Sequence, residues 1–590
     1  MSSRKSTDSP SLRSRRSALF DEVRIRLARP DALLPLSLFG LLTGVLAGAV
    51  IILFRLLVEG AQDALLPGQG PENYELLPGA MRMLMPLLAA VLLALMFRWL
   101  AQGVHVLGVA RIMERMAHHQ GRCTPRAFLL QFCGAALAII GGHSVGREGP
   151  HIFLGAASGS LLGQLLSLPN NVIRALAGCG VAAGIAASFN TPLAGVVFAL
   201  EVVMMEYTVA SFIPVILAAV SATTLSNLVF DDRAMFEMVS LGSVSLQELA
   251  LAALIGFLAG VLSAGFIQAV QTVAARSAAI PIWWRMPLAG ALVGGIGLFV
   301  PEVMGIGYDS VERALHGGFA LQLLLLLLIA KLIATSLCIG LGVPGGMIGP
   351  ALFIGAMLGA AVAELATQWT AALPDPVGLF ALLGMGAMMS GSLQAPLAAL
   401  TAMLELSDSP DVILPGMLAV VVAGITSSVL FGKDSLFLTM LRASGVDYAA
   451  SPVFQALRRI GVAGVMDRSF ARVDATLPAE QARRVLENGP QNLLIDHPDG
   501  RQTLMPAVDL ARHVKALSPD DNEPAIDLTA IPADRLELAP IELQASLQEA
   551  WAMFDAQGLE ALVVHRMTAP GIHHVYGILT RDAVERAYRP

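Results

Sequence analysis

Apolar residues come in long runs along this chain, near 36–57, 84–100, 128–140, 212–228, 249–270 and 321–338, with others continuing to about Phe431. Several are shorter than the roughly 20 residues that a bilayer-spanning helix needs, and Gly and Pro interrupt them. Short, interrupted spans predict re-entrant or half-helices, which are tolerated at membrane depth only where protein or a watery cavity satisfies the freed backbone groups. After about residue 440 the pattern changes. Charges recur regularly over 455–590, and amphipathic helical stretches alternate with short apolar strands.

Composition agrees with a polytopic membrane protein. Hydrophobic residues make up 55% of the chain, charged residues only 14%, and mean hydropathy is +0.68. Such a chain is not a water-soluble globule. Arg4, Lys5, Arg13, Arg15, Arg16, Arg24, Arg26 and Arg29 stand against Asp8, Asp21 and Glu22 before the first run. The positive-inside rule places this end in the cytoplasm, and a role at lipid headgroups outweighs nucleic-acid binding. The run that follows is too long for a signal peptide and lacks a cleavage site. The net charge of −7 is dispersed and points to no partner. Cys123, Cys133, Cys179 and Cys338 lie in or beside apolar segments without CxxC spacing, as small buried hydrophobes rather than a disulfide or metal set.

The chain repeats itself. Residues 142–159 align with 342–359 without a gap, pairing Gly146/Gly346, Gly149/Gly349, Pro150/Pro350, Phe153/Phe353 and Gly155/Gly355. A shift of 204 aligns 180–201 with 384–405, pairing Ser188/Ser392, Pro192/Pro396, Leu193/Leu397, Ala194/Ala398 and Glu201/Glu405. Gly/Pro-interrupted segments at matching positions of two halves point to a substrate site shared between them near the midplane. Sequence alone leaves the relative orientation of the halves open.

Three segments carry a resemblance to the CLC chloride channels and chloride/proton antiporters. They are Gly146-Arg147-Glu148-Gly149-Pro150, Asn190-Thr191-Pro192-Leu193-Ala194-Gly195 running to Glu201, and Gly342-Val343-Pro344-Gly345-Gly346-Met347-Ile348-Gly349-Pro350. The resemblance covers about 35–440. It implies a mainly α fold of two inverted-repeat halves with tilted and broken helices, behind a basic cytoplasmic segment 1–34. It also implies a homodimer with one pore per subunit in a bacterial-type inner membrane, both termini cytoplasmic. The cargo would be chloride and related anions, and no cofactor is required for their passage.

The local chemistry suits an anion. A helix N-terminus offers free N–H groups and about half a positive charge. Glycine allows close backbone approach, and proline just inside a helix start gives up no needed donor. By resemblance, the amides of Met347 and Ile348 coordinate the ion, with Leu107, Gly108, Gly146, Arg147, Gly149 and Phe437 around it. Glu148 is the expected gate, its carboxylate competing with the anion. An intramembrane ionisable group is functional by default, since placing one there costs at least about 2.5 to 3.5 kcal/mol. The bland alternatives are that Glu148 caps its own helix and that Arg147 is merely its ion pair.

Three departures bear on mechanism. The family's Gly-Ser-Gly-Ile-Pro reads Val106-Leu107-Gly108-Val109-Ala110 here, so a serine hydroxyl is missing, along with a bond to charge worth about 1.5 to 3 kcal/mol. The family's central tyrosine falls on Phe437. Where proton-coupled members carry a second glutamate after Glu201, this chain has Val202, which cannot relay a proton. These features favour a passive, glutamate-gated, voltage-gated-type chloride channel, with chloride/proton antiport as the alternative. Glu206, four residues on, would share a helical face with Val202 and restore coupling, unless it is a helix-end charge.

Residues 455–590 resemble a cytoplasmic α/β pair of CBS domains, at about 460–516 and 526–590, joined by Ser518-Pro519-Asp520-Asp521-Asn522-Glu523-Pro524. Gly577-Ile578-Leu579-Thr580-Arg581-Asp582 matches the stretch that holds adenosine nucleotides such as ATP or AMP in that family. There Asp582 would accept from ribose hydroxyls and Thr580 would support phosphate or ribose. The first copy, Met505-Pro506-Ala507-Val508-Asp509, lacks the Gly and Thr, which leaves at most one site; dimerisation without nucleotide is the other reading. An intramembrane enzyme is disfavoured, because His105, His118, His119, His143 and His151 form no metal spacing and His143 adjoins Ser144 too closely in sequence to serve as its base. A pure scaffold has no need of the doubled Gly/Pro breaks.

Overall fold

The computed structural model describes residues 32–68, 72–101, 108–206, 208–230, 245–369, 377–443, 445–446, 452–516, 525–569 and 572–588. The chain forms two compact units. One comprises Leu36–Leu166 and Ile173–Ala449, and the other contains Ala450–Pro590 and Ser167–Val172.

The larger unit is helical. Its first half runs α1 (Leu33–Leu65), α2 (Gly79–Leu100), α3 (Val109–His118), α4 (Pro125–Ile140), α5 (Glu148–Leu165), α6 (Asn170–Phe189), α7 (Pro192–Phe198) and α8 (Val209–Asn227). Its second runs α9 (Leu246–Ser277), α10 (Ile282–Phe299), α11 (Tyr308–Leu315), α12 (Leu321–Gly340), α13 (Ile348–Trp369), α14 (Val377–Leu393), α15 (Pro396–Ser407) and α16 (Ile413–Ile425). Each helix of the first half has its counterpart eight places later, so the repeat seen in two sequence segments extends over the whole unit. Then α17 (Leu436–Ala443) follows. Among the described residues, eight helices are long and apolar enough to cross a membrane.

Small residues let the counterpart helices cross in the same way in both halves. On α1, a Cβ at Gly44 would lie 2.2 Å from the Ala218 carbonyl of α8, and on α9 one at Gly260 would lie 2.8 Å from the Ala423 carbonyl of α16. The α5/α6 contact, with Gly155 against the Gly180 carbonyl at 2.1 Å, repeats at α13/α14 with Gly355 against the Gly384 carbonyl at 2.3 Å. Large side chains on the outward faces, such as Leu34, Leu38, Leu53 and Trp99, are exposed, as a lipid-facing surface requires.

The halves are joined at the repeated motif itself. The Gly146 amide donates to the Gly346 carbonyl at 2.8 Å and the Gly346 amide returns the bond at 2.6 Å, an antiparallel bridge. Antiparallel pairing at equivalent residues is what a two-fold relation between the halves produces.

The second unit is an α/β layer, with α18 (Pro452–Arg459) and the short α19 (Val462–Val465) at its start. Strand β1 (Phe470–Asp474) precedes the two-residue β2 (Thr476–Leu477), α20 (Ala479–Glu487), β3 (Asn492–Asp496), β4 (Gln502–Pro506) and α21 (Ala507–Ala516). After the short β5 (Ile526–Asp527) come β6 (Leu536–Glu542), α22 (Leu547–Gln557), β7 (Ala561–Ala569), β8 (Ile572–Thr580) and α23 (Arg581–Tyr588). The six-stranded sheet has the order β1-β3-β4-β6-β7-β8. In each copy a parallel pair, β1/β3 or β6/β7, is followed by an antiparallel one, and β4/β6 joins the copies. Apolar strand centres such as Leu493, Ile495, Leu562 and Val564 fill the cores beneath α20–α23.

Candidate anion site

Four helix starts meet around one cavity of about 70 Å³: Val109 of α3, Gly149 of α5, Ile348 of α13 and Phe437 of α17 all line it. Gly108, Pro344, Gly346 and Met347 complete much of the wall. The first amides of a helix have no partner inside it, so this convergence brings four partial positive charges to one small volume. Much of the wall is backbone, and among the described residues no side-chain cation lines it.

The structure thus brings together Gly108, Gly149, Met347, Ile348 and Phe437, which the sequence comparison had scattered over more than 300 positions. Leu107 and Val106 lie outside the described residues. Gly108 has φ +79°, and its amide donates to Gln131 Oε1 at 2.8 Å, so that donor is already engaged. Phe437 is buried and meets Phe198 edge to face at 6.3 Å, which makes this part of the wall apolar. Gly146 does not line the cavity; it forms the bridge to Gly346.

Glu148 opens α5, and its carboxylate reaches across to the other half. Oε2 accepts from the Gly349 amide at 3.0 Å, and Oε1 accepts from the Tyr308 hydroxyl. The carboxylate therefore occupies one of the donor positions at the start of α13, adjoining the Met347 and Ile348 amides. It caps the counterpart helix, not its own. Arg147 is not its ion pair either. That guanidinium pairs with Glu59 at 3.1 Å, Arg55 meets the same carboxylate at 3.2 Å, and Arg147 stands 5.4 Å from the Tyr308 ring centroid. Arg147 lines a separate, polar cavity of about 480 Å³ with Arg55, Glu59, Glu72, Tyr308, Asp309 and Glu312.

The two proton-path candidates part company. Val202 is buried in a π-helical stretch, Ala199–Met204, that continues α7. Met205 then turns left-handed at φ 51°, and the Glu206 amide bonds back to the Leu200 carbonyl at 3.0 Å. The helical face on which Val202 and Glu206 were expected to align ends before Glu206 is reached. The Glu206 carboxylate instead accepts from the Ser211 hydroxyl and, at 3.2 Å, from Thr208 Oγ1, both at the start of α8.

Sequence reasoning passed over Tyr308, Glu72 and Lys331. Glu72 Oε2 accepts from the Gly307 and Tyr308 amides at 3.0 and 3.1 Å, capping α11. Lys331 is fully buried on α12 and donates to the carbonyls of Val303, Gly305 and Ile306 at 3.1, 3.0 and 2.9 Å. The available signal was the tight turn Gly305-Ile306-Gly307 ahead of one of only 6 tyrosines. Ser144 bonds Thr335 Oγ1 at 3.1 Å while His143 Nδ1 meets the Ala138 carbonyl, so the adjacent pair is not arranged as nucleophile and base.

The model of the family described as voltage gated chloride channel matches residues 87–428, which is more than half of the chain. This chain belongs to the CLC family. Within that family it is 34% identical, over 384 residues, to the putative chloride channel protein ClcB-like of Ralstonia nicotianae, covering 64% of this chain and 89% of that protein. It is 31% identical over 319 residues to the H(+)/Cl(-) exchange transporter ClcA of Vibrio cholerae, covering 52% and 68%. Two solved CLC structures share the fold. A slow cyanobacterial Cl-/H+ antiporter superposes with TM-score 0.61 at 24% identity, over 70% of this chain and 97% of that one. A eukaryotic CLC transporter superposes with TM-score 0.60 at 20% identity, over 94% and 98%. Membership makes the chain a multi-pass membrane protein of CLC-type anion transport.

In the second unit, Thr580 and Asp582 stand at the β8/α23 junction. Thr580 Oγ1 accepts from the Ala583 amide at 3.3 Å, and the exposed Asp582 carboxylate meets Arg586 at 2.8 Å. The junction of the first copy places Asp509 against Arg512 at 3.2 Å. The Thr580 hydroxyl thus serves its own helix, and the Asp582 carboxylate is exposed.

Proposed function

We propose that this protein exchanges chloride for protons across a bilayer, with Glu148 as the group that alternates with the anion. The observation that carries the reading is the Glu148 carboxylate on the Gly349 amide, beside the amides that would hold chloride. Anion and carboxylate then compete for one set of donors, and protonation of the carboxylate weakens its claim. A proton taken up at Glu148 is thereby tied to chloride arrival. The exchange activity named for the ClcA relative favours this over the passive conduction expected from Val202.

Passive conduction keeps one specific support, the buried Val202 combined with a Glu206 turned away from its face. Flux from liposomes under a chloride gradient, with proton movement recorded alongside, separates the two. Exchange predicts uphill proton movement in fixed ratio to chloride, lost in Glu148→Ala and Glu148→Gln with chloride flux retained. Chloride flux without proton movement in the wild type would establish a channel.

The reading extends to a homodimer, to cytoplasmic termini on the strength of the arginine-rich first 30 residues, and to a CBS-type pair at the C-terminus that binds ATP or AMP at Thr580 and Asp582.

A further inference from the structure

We infer that Tyr308 is a positioning residue for the gate: its hydroxyl latches the Glu148 carboxylate at the start of α13, and Glu72 and Lys331 fix the point from which Tyr308 reaches. The inference rests on the reading of Glu148 as the exchanging group.

The latch is asymmetric about the carboxylate. One oxygen is held by a backbone amide of the second repeat, which cannot move without disturbing α13. The other is held by a phenol on α11, an eight-residue helix whose start is held by the side chains of Glu72 and Lys331, with one backbone bond from the Gly305 amide to the Gly142 carbonyl at 3.2 Å. Glu72 takes the amides of Gly307 and Tyr308, while Lys331 takes three carbonyls of the preceding turn. A carboxylate and an ammonium thus clamp one short stretch from its two polarities. The turn is closely fitted. Gly307 has φ +85°, and a Cβ there would lie 2.9 Å from the Phe353 ring of α13. The Tyr308 ring itself packs near Phe189, with centroids 6.2 Å apart.

A phenol O–H donates to a carboxylate far better than to a neutral carboxylic acid, since a bond to an ionised partner is about twice as strong. The latch therefore favours the charged, inward-held form, and removing it makes protonation easier and release earlier. The charged and titratable groups that face the pair are Arg55 and Glu59 on α1, Glu72 on the loop after it, Arg147 before α5, Asp309 and Glu312 on α11, and Lys331 on α12. Tyr308→Phe leaves all of them in place and keeps the ring.

The test is chloride flux from liposomes between pH 4.5 and 8 for the wild type, Tyr308→Phe, Glu148→Ala and the double variant, with chloride affinity measured by calorimetry at pH 7.5. Tyr308→Phe is expected to move the midpoint of acid-stimulated flux up by about one pH unit, the tenfold change that about 1.36 kcal/mol represents. It is also expected to tighten chloride binding, because the competitor is held less firmly. In the Glu148→Ala background the same substitution is expected to change neither readout, since there is nothing left to latch. A Tyr308→Phe profile superimposable on the wild type, or an equal effect in both backgrounds, overturns the inference. Wild-type flux and pH response in Glu148→Ala would instead remove the gating role on which it rests.

Discussion

Glu201 and Glu405 cap each other's helices. Glu201 accepts from the Leu397 and Ala398 amides at the start of α15, at 3.1 and 2.8 Å, and Glu405 accepts from the Leu193 and Ala194 amides at the start of α7, at 2.8 and 2.7 Å. Each half of the molecule carries the carboxylate that the other half's helix needs, because a helix start leaves its first amides unpaired and attracts negative charge. Glu201 is thereby occupied structurally, which separates it from the proton-relay question that concerns its neighbour Val202.

Reciprocity makes a quantitative prediction. Glu201→Ala and Glu405→Ala should each lower stability by a similar amount, about 1 kcal/mol as for loss of a helix cap, read as the thermal midpoint in detergent. A large effect at one position and none at the other would mean that the two bonds are not equivalent.

Phe437→Tyr would place a hydroxyl on the wall of the anion cavity. A hydrogen bond to a charged partner contributes about 1.5 to 3 kcal/mol, so chloride affinity by calorimetry should rise by about tenfold or more, with slower turnover. Unchanged affinity would mean that the new hydroxyl does not reach the ion.

The loop carboxyl of Glu72 is pushed up from its ordinary 4.5 to about 7, first by removal from water and then by the nearby Asp309 carboxylate. A carboxyl raised on folding holds its proton better in the native state. Its contribution is therefore complete below about pH 4.5 and disappears as pH rises through about 7. Wild-type thermal stability should fall across that window, and Glu72→Gln, which keeps an amide-accepting oxygen but no charge, should flatten the fall. Parallel curves for the two proteins would reject this origin of the pH dependence.

Nucleotide binding at the C-terminal unit predicts that the purified full-length protein gains thermal stability with millimolar ATP or AMP. The gain corresponds to about 2.7 kcal/mol at a hundredfold excess over Kd. Asp582→Ala should abolish it. No gain in the wild type would leave the unit as an assembly module.

Much of the architecture was legible in the sequence because inverted repeats preserve their punctuation: the Gly-x-x-Gly-Pro starts of α5 and α13 and the Pro-Leu-Ala starts of α7 and α15 each recur at nearly one spacing. Glu148 could be singled out because a carboxyl inside a Gly-x-x-Gly-Pro helix start in an apolar setting is anomalous by itself. Its partners could not. Tyr308 lies 160 positions away on a helix too short and polar to stand out, and only packing brings the two together. The Glu201/Glu405 exchange was visible as a paired residue, yet nothing local says that a carboxylate will cap a distant helix rather than its own. Glu206 failed for a different reason. A regular 3.6-residue period was extended through Met205, where the π-helical stretch and a left-handed residue had already ended it.

The paired amides of Gly146 and Gly346 limit how this transporter can work. Many proteins built from inverted repeats alternate access by rocking one repeat against the other around a fixed site. Here the repeats are stitched backbone to backbone beside the site, so a motion that separated them there would have to break both bonds. The proposed exchange would then leave the frame in place. On the exchange proposed above, what moves is small, a carboxylate and the hydroxyl that restrains it, which would make the rate of the cycle and its tightness of coupling properties of two side chains rather than of two halves.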